Sequence, residues 1–247
     1  MFCGIRQSMC IRWCISLGIF LLVFWCMAMA QINCDTQTNT LPLYDLGYTI
    51  IPRITDITWT TTTFWATYCD IAITSTYVVF SLLIMPFCCT PYWICNIRFT
   101  YVLTYTFTIR TLFLLSTHYP LVIPSINPVY LSPNTAWGAI LIMIGIRTTQ
   151  TDYMMSGHTI GWTLMLLFFW HYKKNGVVYT GLSILFTLFS VSGIILLIGI
   201  REHYTSDIMV SVVISTLSFS FYHISTWSKA ERNNWWAVRF LTWIDPK

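Results

Sequence analysis

The chain has 247 residues, 56% hydrophobic, 17% aromatic and only 9% charged, with a mean hydropathy of +0.65 and a formal net charge of +4. That composition excludes an ordinary water-soluble domain and points to a polytopic membrane protein whose length suits one bundle. The small positive charge reads as membrane topology, and no nucleic-acid partner is expected.

In chain order, six apolar segments of about 20 residues, the length a bilayer crossing needs, are predicted. They are 11–30, 60–85, 97–117, 157–172, 177–200 and 207–227. The expected fold is therefore all-α, with six transmembrane helices in one bundle. The sequence AMAQ at 28–31 resembles a signal-peptidase site, but the preceding apolar run is too long for a signal segment, so the first helix is read as uncleaved. Cations near helix ends fix the orientation. Arg6, Arg12, Arg98, Lys173, Lys174, Lys229, Arg232, Arg239 and Lys247 share one side, against Arg53, Arg147 and Arg201 on the other. The cation-rich side, with both termini, is expected in the cytosol. The outer loops are then 31–58, 118–156 and 201–207.

Nine cysteines form no CxxC or Cys/His spacing that suggests a metal, and most lie near cytosolic helix ends where thiols stay reduced. No metal and no soluble cofactor are expected.

Two polar islands interrupt the apolar pattern on the outer side. TDYMMSGHTIGW carries Asp152, Ser156 and His158, and REHYTSD carries Arg201, Glu202, His203 and Asp207. One round trip across the bilayer separates His158 from His203, which brings both imidazoles to one face at the ends of neighbouring helices. His203 and Asp207 stand four apart where a helix begins, a spacing that puts both side chains on one face. A carboxylate on one ring nitrogen fixes the tautomer and makes the other nitrogen a better nucleophile. A second histidine across a small gap can move the proton of a leaving or attacking oxygen. The competing reading is structural, with Ser156 and Asp207 as helix N-caps and the histidines as interfacial tips. His171 and His223 are read as interfacial, and His118 as a loop residue. Asp70 and Arg110 fall inside spans. They read either as a structural ion pair or as groups lining a lipid-accessible cavity.

SGHT and HYTSD, in this order, resemble the lipid phosphatase/phosphotransferase superfamily. The fuller resemblance is to the sphingomyelin synthases. PLYDLGYTIIP (42–52), RTLFLLSTHYP (110–120), DYMMSGHT (152–159) and HYTSDIMVSVVIS (203–215) are similar to four ordered motifs of that family, and the tail NNWWAVRF to its aromatic-basic end. The resemblance runs over roughly 40–240. Gln150 and Thr151 stand where the family usually has Cys-Gly, and MVSVVIS replaces an Ala-Tyr-Tyr run. The phosphatase branch holds phosphate with a lysine-bearing clamp before its SGH motif; here all four lysines follow that motif. A sparser basic site fits a choline phosphodiester better than a dianionic monoester.

The resemblance implies transfer of phosphocholine from phosphatidylcholine to ceramide, releasing diacylglycerol, through a phospho-histidine. His203 would be the nucleophile, Asp207 its orienter and His158 the acid/base. Arg110, Asp70, Asp152, Ser156 and Tyr204 would contact substrate. The chain is read as a single polytopic membrane domain over 1–247, with a cytosolic N-terminus (1–10), a catalytic core (40–227) and a cytosolic tail (228–247). The site would face the lumen or exterior, in the Golgi or plasma membrane, and a homo-oligomer is left open. Three alternatives stay open: another head-group donor such as phosphoethanolamine or phosphoinositol, diacylglycerol as acceptor, and a non-catalytic lipid-binding relative.

Overall fold

The computed structural model describes residues 2–35, 43–51, 53, 59–89, 92–117, 135–143 and 153–227. They are almost entirely helical: α1 (Phe2–Asp35), α2 (Leu46–Ile50), α3 (Trp59–Val79), a π-helical turn (Phe80–Ile84), α4 (Met85–Cys88), α5 (Tyr92–Ser116), α6 (Thr135–Met143), α7 (Gly157–Tyr172), α8 (Val177–Gly199) and α9 (Thr205–Trp227). Among the described residues the only β feature is an isolated bridge between Cys89 and Lys173. The π-turn sits directly before Pro86, which has no N–H to continue an α-helical ladder, so the irregularity has a local cause.

Among the described residues, four helical stretches are long and apolar enough to cross a membrane: Cys10–Ile32, Ile71–Cys88, Val177–Gly199 and Thr205–Ser225. The other two long helices differ for visible reasons. α5 carries two arginines, an asparagine and five threonines. α7 has 16 residues, about 24 Å at the helical rise of ~1.5 Å per residue, which is shorter than a ~30 Å hydrocarbon layer.

The burial pattern is that of a bundle bathed in lipid. On α8, Val178, Leu185, Leu188 and Ile195 are exposed, while Ser183 and Ser190 are buried. On α9, Met209, Val213 and Leu217 are exposed over a buried row of Ser211, Ser215 and Ser218. Small polar residues inside and large apolar ones outside suit helix packing where the surroundings are as apolar as leucine. α7 is the central post, packed against α3, α5, α8 and α9, and α1 lies along α5 and α6. Its inward side chains Leu164, Met165, Phe168 and Phe169 are essentially inaccessible.

α7 and α9 run parallel, because they meet at both ends. At one end the Tyr172 hydroxyl lies 2.7 Å from His223 Nε2, and at the other the His158 and His203 rings are neighbours. At the Tyr172 end, His223 Nδ1 is 2.7 Å from the Phe219 carbonyl, which requires the proton on that nitrogen and leaves Nε2 to accept from Tyr172. Arg98 Nη1 in turn donates to the Tyr172 oxygen over 2.9 Å. His223 is thus built into a polar chain between helices, where an interfacial tip was expected. Lys174 N–H donates to the Cys88 carbonyl at 2.7 Å, so the cysteine-bearing end of α4 and the α7–α8 turn share this end of the bundle.

Candidate active site

The site lies at the opposite end, where α7 and α9 begin. Ser156 is the N-cap of α7, its Oγ accepting the Thr159 N–H at 3.3 Å. The turn before it is held from α5. Arg110, 2% exposed, donates from Nε to the Met155 carbonyl at 2.7 Å and from Nη1 to Met27 Sδ at 2.8 Å. Its guanidinium also lies against Gly157, where a Cβ would come within 3.4 Å of Cζ. The buried arginine therefore fixes the turn that presents His158.

The second histidine comes from the α8–α9 turn. Two closing bonds, Glu202 N–H to the Leu197 carbonyl and Arg201 N–H to the Ile198 carbonyl, both 3.1 Å, end α8 in the manner of a Schellman motif. That motif needs a left-handed residue, usually glycine, and here Arg201 takes it with φ 62°. A non-glycine there costs on the order of 1 kcal/mol. The arginine side chain offsets this: Nη2 donates to the carbonyls of Tyr48 (2.8 Å) and Ile51 (3.2 Å), and its Cζ sits 4.1 Å from the Tyr48 ring centre.

His203 follows, 2% exposed, two residues ahead of α9 rather than on it. Its Nδ1 lies 3.6 Å from Asp207 Oδ2, an ion-pair separation slightly too long for a hydrogen bond. Asp207 is completely buried and occupies the third position of α9, where an N-cap was one expectation. From there Oδ2 reaches back to accept the Tyr204 N–H at 3.1 Å, half of a capping box. One carboxylate thus anchors the helix start and faces the imidazole.

Residues 43–51 strap this turn down. The Tyr48 hydroxyl donates to the His203 carbonyl at 2.8 Å, the Leu43 N–H donates to the Tyr204 hydroxyl at 3.1 Å, and Asp45 takes both the N–H and the hydroxyl of Thr205 at 2.5 Å. Gly47 is required by this contact, since a Cβ there would overlap Thr205 Oγ1. Tyr48 and Tyr153 pack on Tyr204. Burial, with the neighbouring phenols and carboxylates, pushes the Tyr48 pKa well above the ordinary phenol value, and burial raises that of Tyr204. Both phenols stay neutral and serve as hydrogen-bonding walls.

The His158 and His203 rings lie 6.1 Å apart, with Tyr153 edge-on to His203 at 6.1 Å. Two imidazoles, one backed by a carboxylate, meet where two parallel helices present their N-terminal partial positive charges. An anionic phosphorus group is favoured there without a lysine clamp. Of the expected substrate residues, Ser156 and Arg110 are placed beside His158. Tyr204 is 2% exposed within the strap. Asp70 lies on α3 with its side chain outside the described residues, as does all of Asp152. Sequence reasoning missed Asp45, Tyr48 and Glu202 as site residues. The donor atoms of Glu202, His158 and His203 all lie within 4.8 Å of one another.

Residues 150–224, which include all three central side chains, match the protein family described as PAP2 superfamily C-terminal. The chain is similar to phosphatidylethanolamine:ceramide ethanolaminephosphotransferase of Trypanosoma brucei brucei (strain 927/4 GUTat10.1), 29% identical over 38% of this chain and 27% of the relative. It is also similar to human sphingomyelin synthase-related protein 1, 30% identical over 34% of this chain and 19% of the relative. Human phosphatidylcholine:ceramide cholinephosphotransferase 1 is 34% identical over 35% of this chain and 20% of its own length. The similarity to this group expected from the motifs is therefore found, over a span of about a fifth to a quarter of each relative.

Proposed function

We propose that the chain is a membrane-embedded transferase that moves phosphocholine from phosphatidylcholine to ceramide. The observation that carries this is the His158–His203 pair at 6.1 Å with Asp207 behind His203. His203 Nε2 attacks phosphorus, a P–N bond forms, and the P–O bond to diacylglycerol breaks as His158 gives its proton to the departing oxygen. His158 then takes the proton of ceramide's primary hydroxyl. That oxygen attacks phosphorus, the P–N bond breaks, and sphingomyelin leaves. Asp207 holds the imidazole in orientation and stabilises the charge it develops.

In this reading the six long helices span the bilayer as one domain over 1–247 with core 40–227. Both termini are cytosolic, and the histidines are at the lumenal or extracellular side of the Golgi or plasma membrane. Arg110 fixes the His158 turn and is assigned to the phosphoryl oxygens of the donor. Asp70, Asp152 and Ser156 are assigned to the lipid head groups, and Tyr204 to holding the His203 turn.

A second reading, phosphoethanolamine as the transferred group, is favoured by the trypanosomal relative, whose name specifies that donor. The test is purified full chain in vesicles with labelled ceramide and one donor at a time: phosphatidylcholine, phosphatidylethanolamine or phosphatidylinositol. Sphingomyelin from the first donor alone is expected. Product from another donor reassigns the head group, and no product from any donor overturns the transferase reading.

A further inference from the structure

We infer that His158, Glu202 and His203 form a zinc site whose occupation shuts off the proposed transfer. The inhibitory part rests on that proposal; the binding part does not.

The ligand set is assembled by the fold and invisible in the spacing. Residues 202 and 203 are adjacent in sequence, and in an extended chain their side chains would point apart. The left-handed Arg201 and the closing bonds at the end of α8 bend the backbone, so that Glu202 and His203 converge on His158 at the head of α7. All three donor atoms fall within 4.8 Å of one another. Ligands on a tetrahedral zinc at bonds of ~2.0–2.1 Å sit about 3.3 Å apart, so a modest contraction completes the site. Glu202 and His158 are only partly buried.

Three features select the metal. Two imidazoles and one carboxylate are a common set for zinc with one coordination position left to water, while calcium and magnesium prefer all-oxygen surroundings. His203 has Asp207 at 3.6 Å from Nδ1, so Nε2 faces the metal and the carboxylate behind it supplies the outer-shell partner that metal-bound histidines usually have. Charge also balances: Glu202 and Asp207 together supply the two negative charges that neutralise a divalent ion, which lets it sit beside the positive helix N-termini and Arg110. A metal on both imidazoles removes the lone pair that attacks phosphorus and the proton carrier that serves the leaving group. Bound zinc and turnover are therefore mutually exclusive.

The test uses purified full chain in detergent and equilibrium dialysis against zinc, with folding checked by size exclusion and circular dichroism. One zinc per chain is expected. Glu202→Gln should weaken binding at least tenfold, Asp207→Asn by a similar factor through the outer shell, and His158→Ala or His203→Ala should abolish it. No saturable binding, or binding unchanged in both histidine variants, overturns the site. In the transfer assay zinc should inhibit, a chelator should restore activity, and Glu202→Gln should need at least tenfold more zinc relative to its own uninhibited rate. Stimulation by zinc overturns the inhibitory role. Zinc bound through these residues by a protein that transfers no head group would sustain the site and reject the transferase proposal.

Discussion

Asp45 grips Thr205 with both carboxylate oxygens, Oδ2 on the N–H and Oδ1 on the hydroxyl, across 160 positions of sequence. The same Oδ1 accepts the Tyr48 N–H at 3.3 Å, so one buried side chain caps α2 and secures the first residue of α9. His203 stands two residues from this grip.

Removing it should therefore cost stability and chemistry together. Asp45→Ala leaves three donors without their acceptor and should lower stability by about 3 kcal/mol. Asp45→Asn, which keeps one carbonyl oxygen, should fall between. Tyr48→Phe removes only the bond to the His203 carbonyl, so kcat should drop more than KM changes. Thermal unfolding in detergent and transfer kinetics read the two effects. An Asp45→Ala enzyme with wild-type kcat would refute the strap's role.

The three central residues separate by their intermediates. His203→Ala should form no covalent adduct with any donor. His158→Ala should still attack a donor whose leaving group needs no proton, then accumulate labelled phosphocholine-enzyme because the acceptor is not activated. The label should be acid-labile and base-stable. Label on His158 would reverse the roles.

Asp207 serves two purposes that one substitution can divide. Asp207→Asn retains an oxygen for the Tyr204 N–H and so keeps the helix start. It loses the charge facing His203, and the rate should fall by about 10²–10⁴-fold with little change in melting temperature. Asp207→Ala should lose the rate and destabilise the protein as well. Equal melting temperatures for the two variants would show that the cap contributes nothing.

Arg110 and Asp70 can be tested by exchange. The guanidinium also carries the Met155 carbonyl and packs on Gly157, roles a carboxylate cannot fill. The double reversal Asp70→Arg with Arg110→Asp should therefore remain inactive even where it folds. Recovery of transfer would mean the two are a structural pair only.

Orientation rests on the cation count. A glycosylation acceptor engineered near Ser132 should be modified, and one beside Asn175, in the α7–α8 turn, should not. The opposite pattern would place the histidines on the cytosolic side.

Legibility followed the range of the forces involved. The segments expected at 157–172 and 177–200 appear as Gly157–Tyr172 and Val177–Gly199, because hydropathy and turn residues act locally. The first helix runs from Phe2 to Asp35, beyond the expected 11–30, since a helix continues into polar flanks that a hydropathy window ignores. α6 was missed inside an expected loop. Nine residues are too few to span, yet its Ala139 packs into a buried cluster with Ala28 and Ile32 of α1. The histidine pair was readable from one round trip of chain. The strap was not, because nothing local marks Asp45 as a partner of Thr205. Glu202 was counted only as an outer-side charge, since its convergence on His158 depends on a left-handed residue that a sequence does not advertise at arginine.

The Tyr172–His223 bond gives the paired helices α7 and α9 a pivot at the end remote from the histidines. A helix of α7's length is a lever arm of about 24 Å, so each degree of splay shifts the two imidazoles by ~0.4 Å relative to one another. A misplacement of about 1 Å is enough to slow a positioned reaction by ~10²-fold, which two to three degrees would supply. The Tyr172–His223 bond at one end and the 43–51 strap at the other are therefore what hold that angle, and with it the gap between the two histidines.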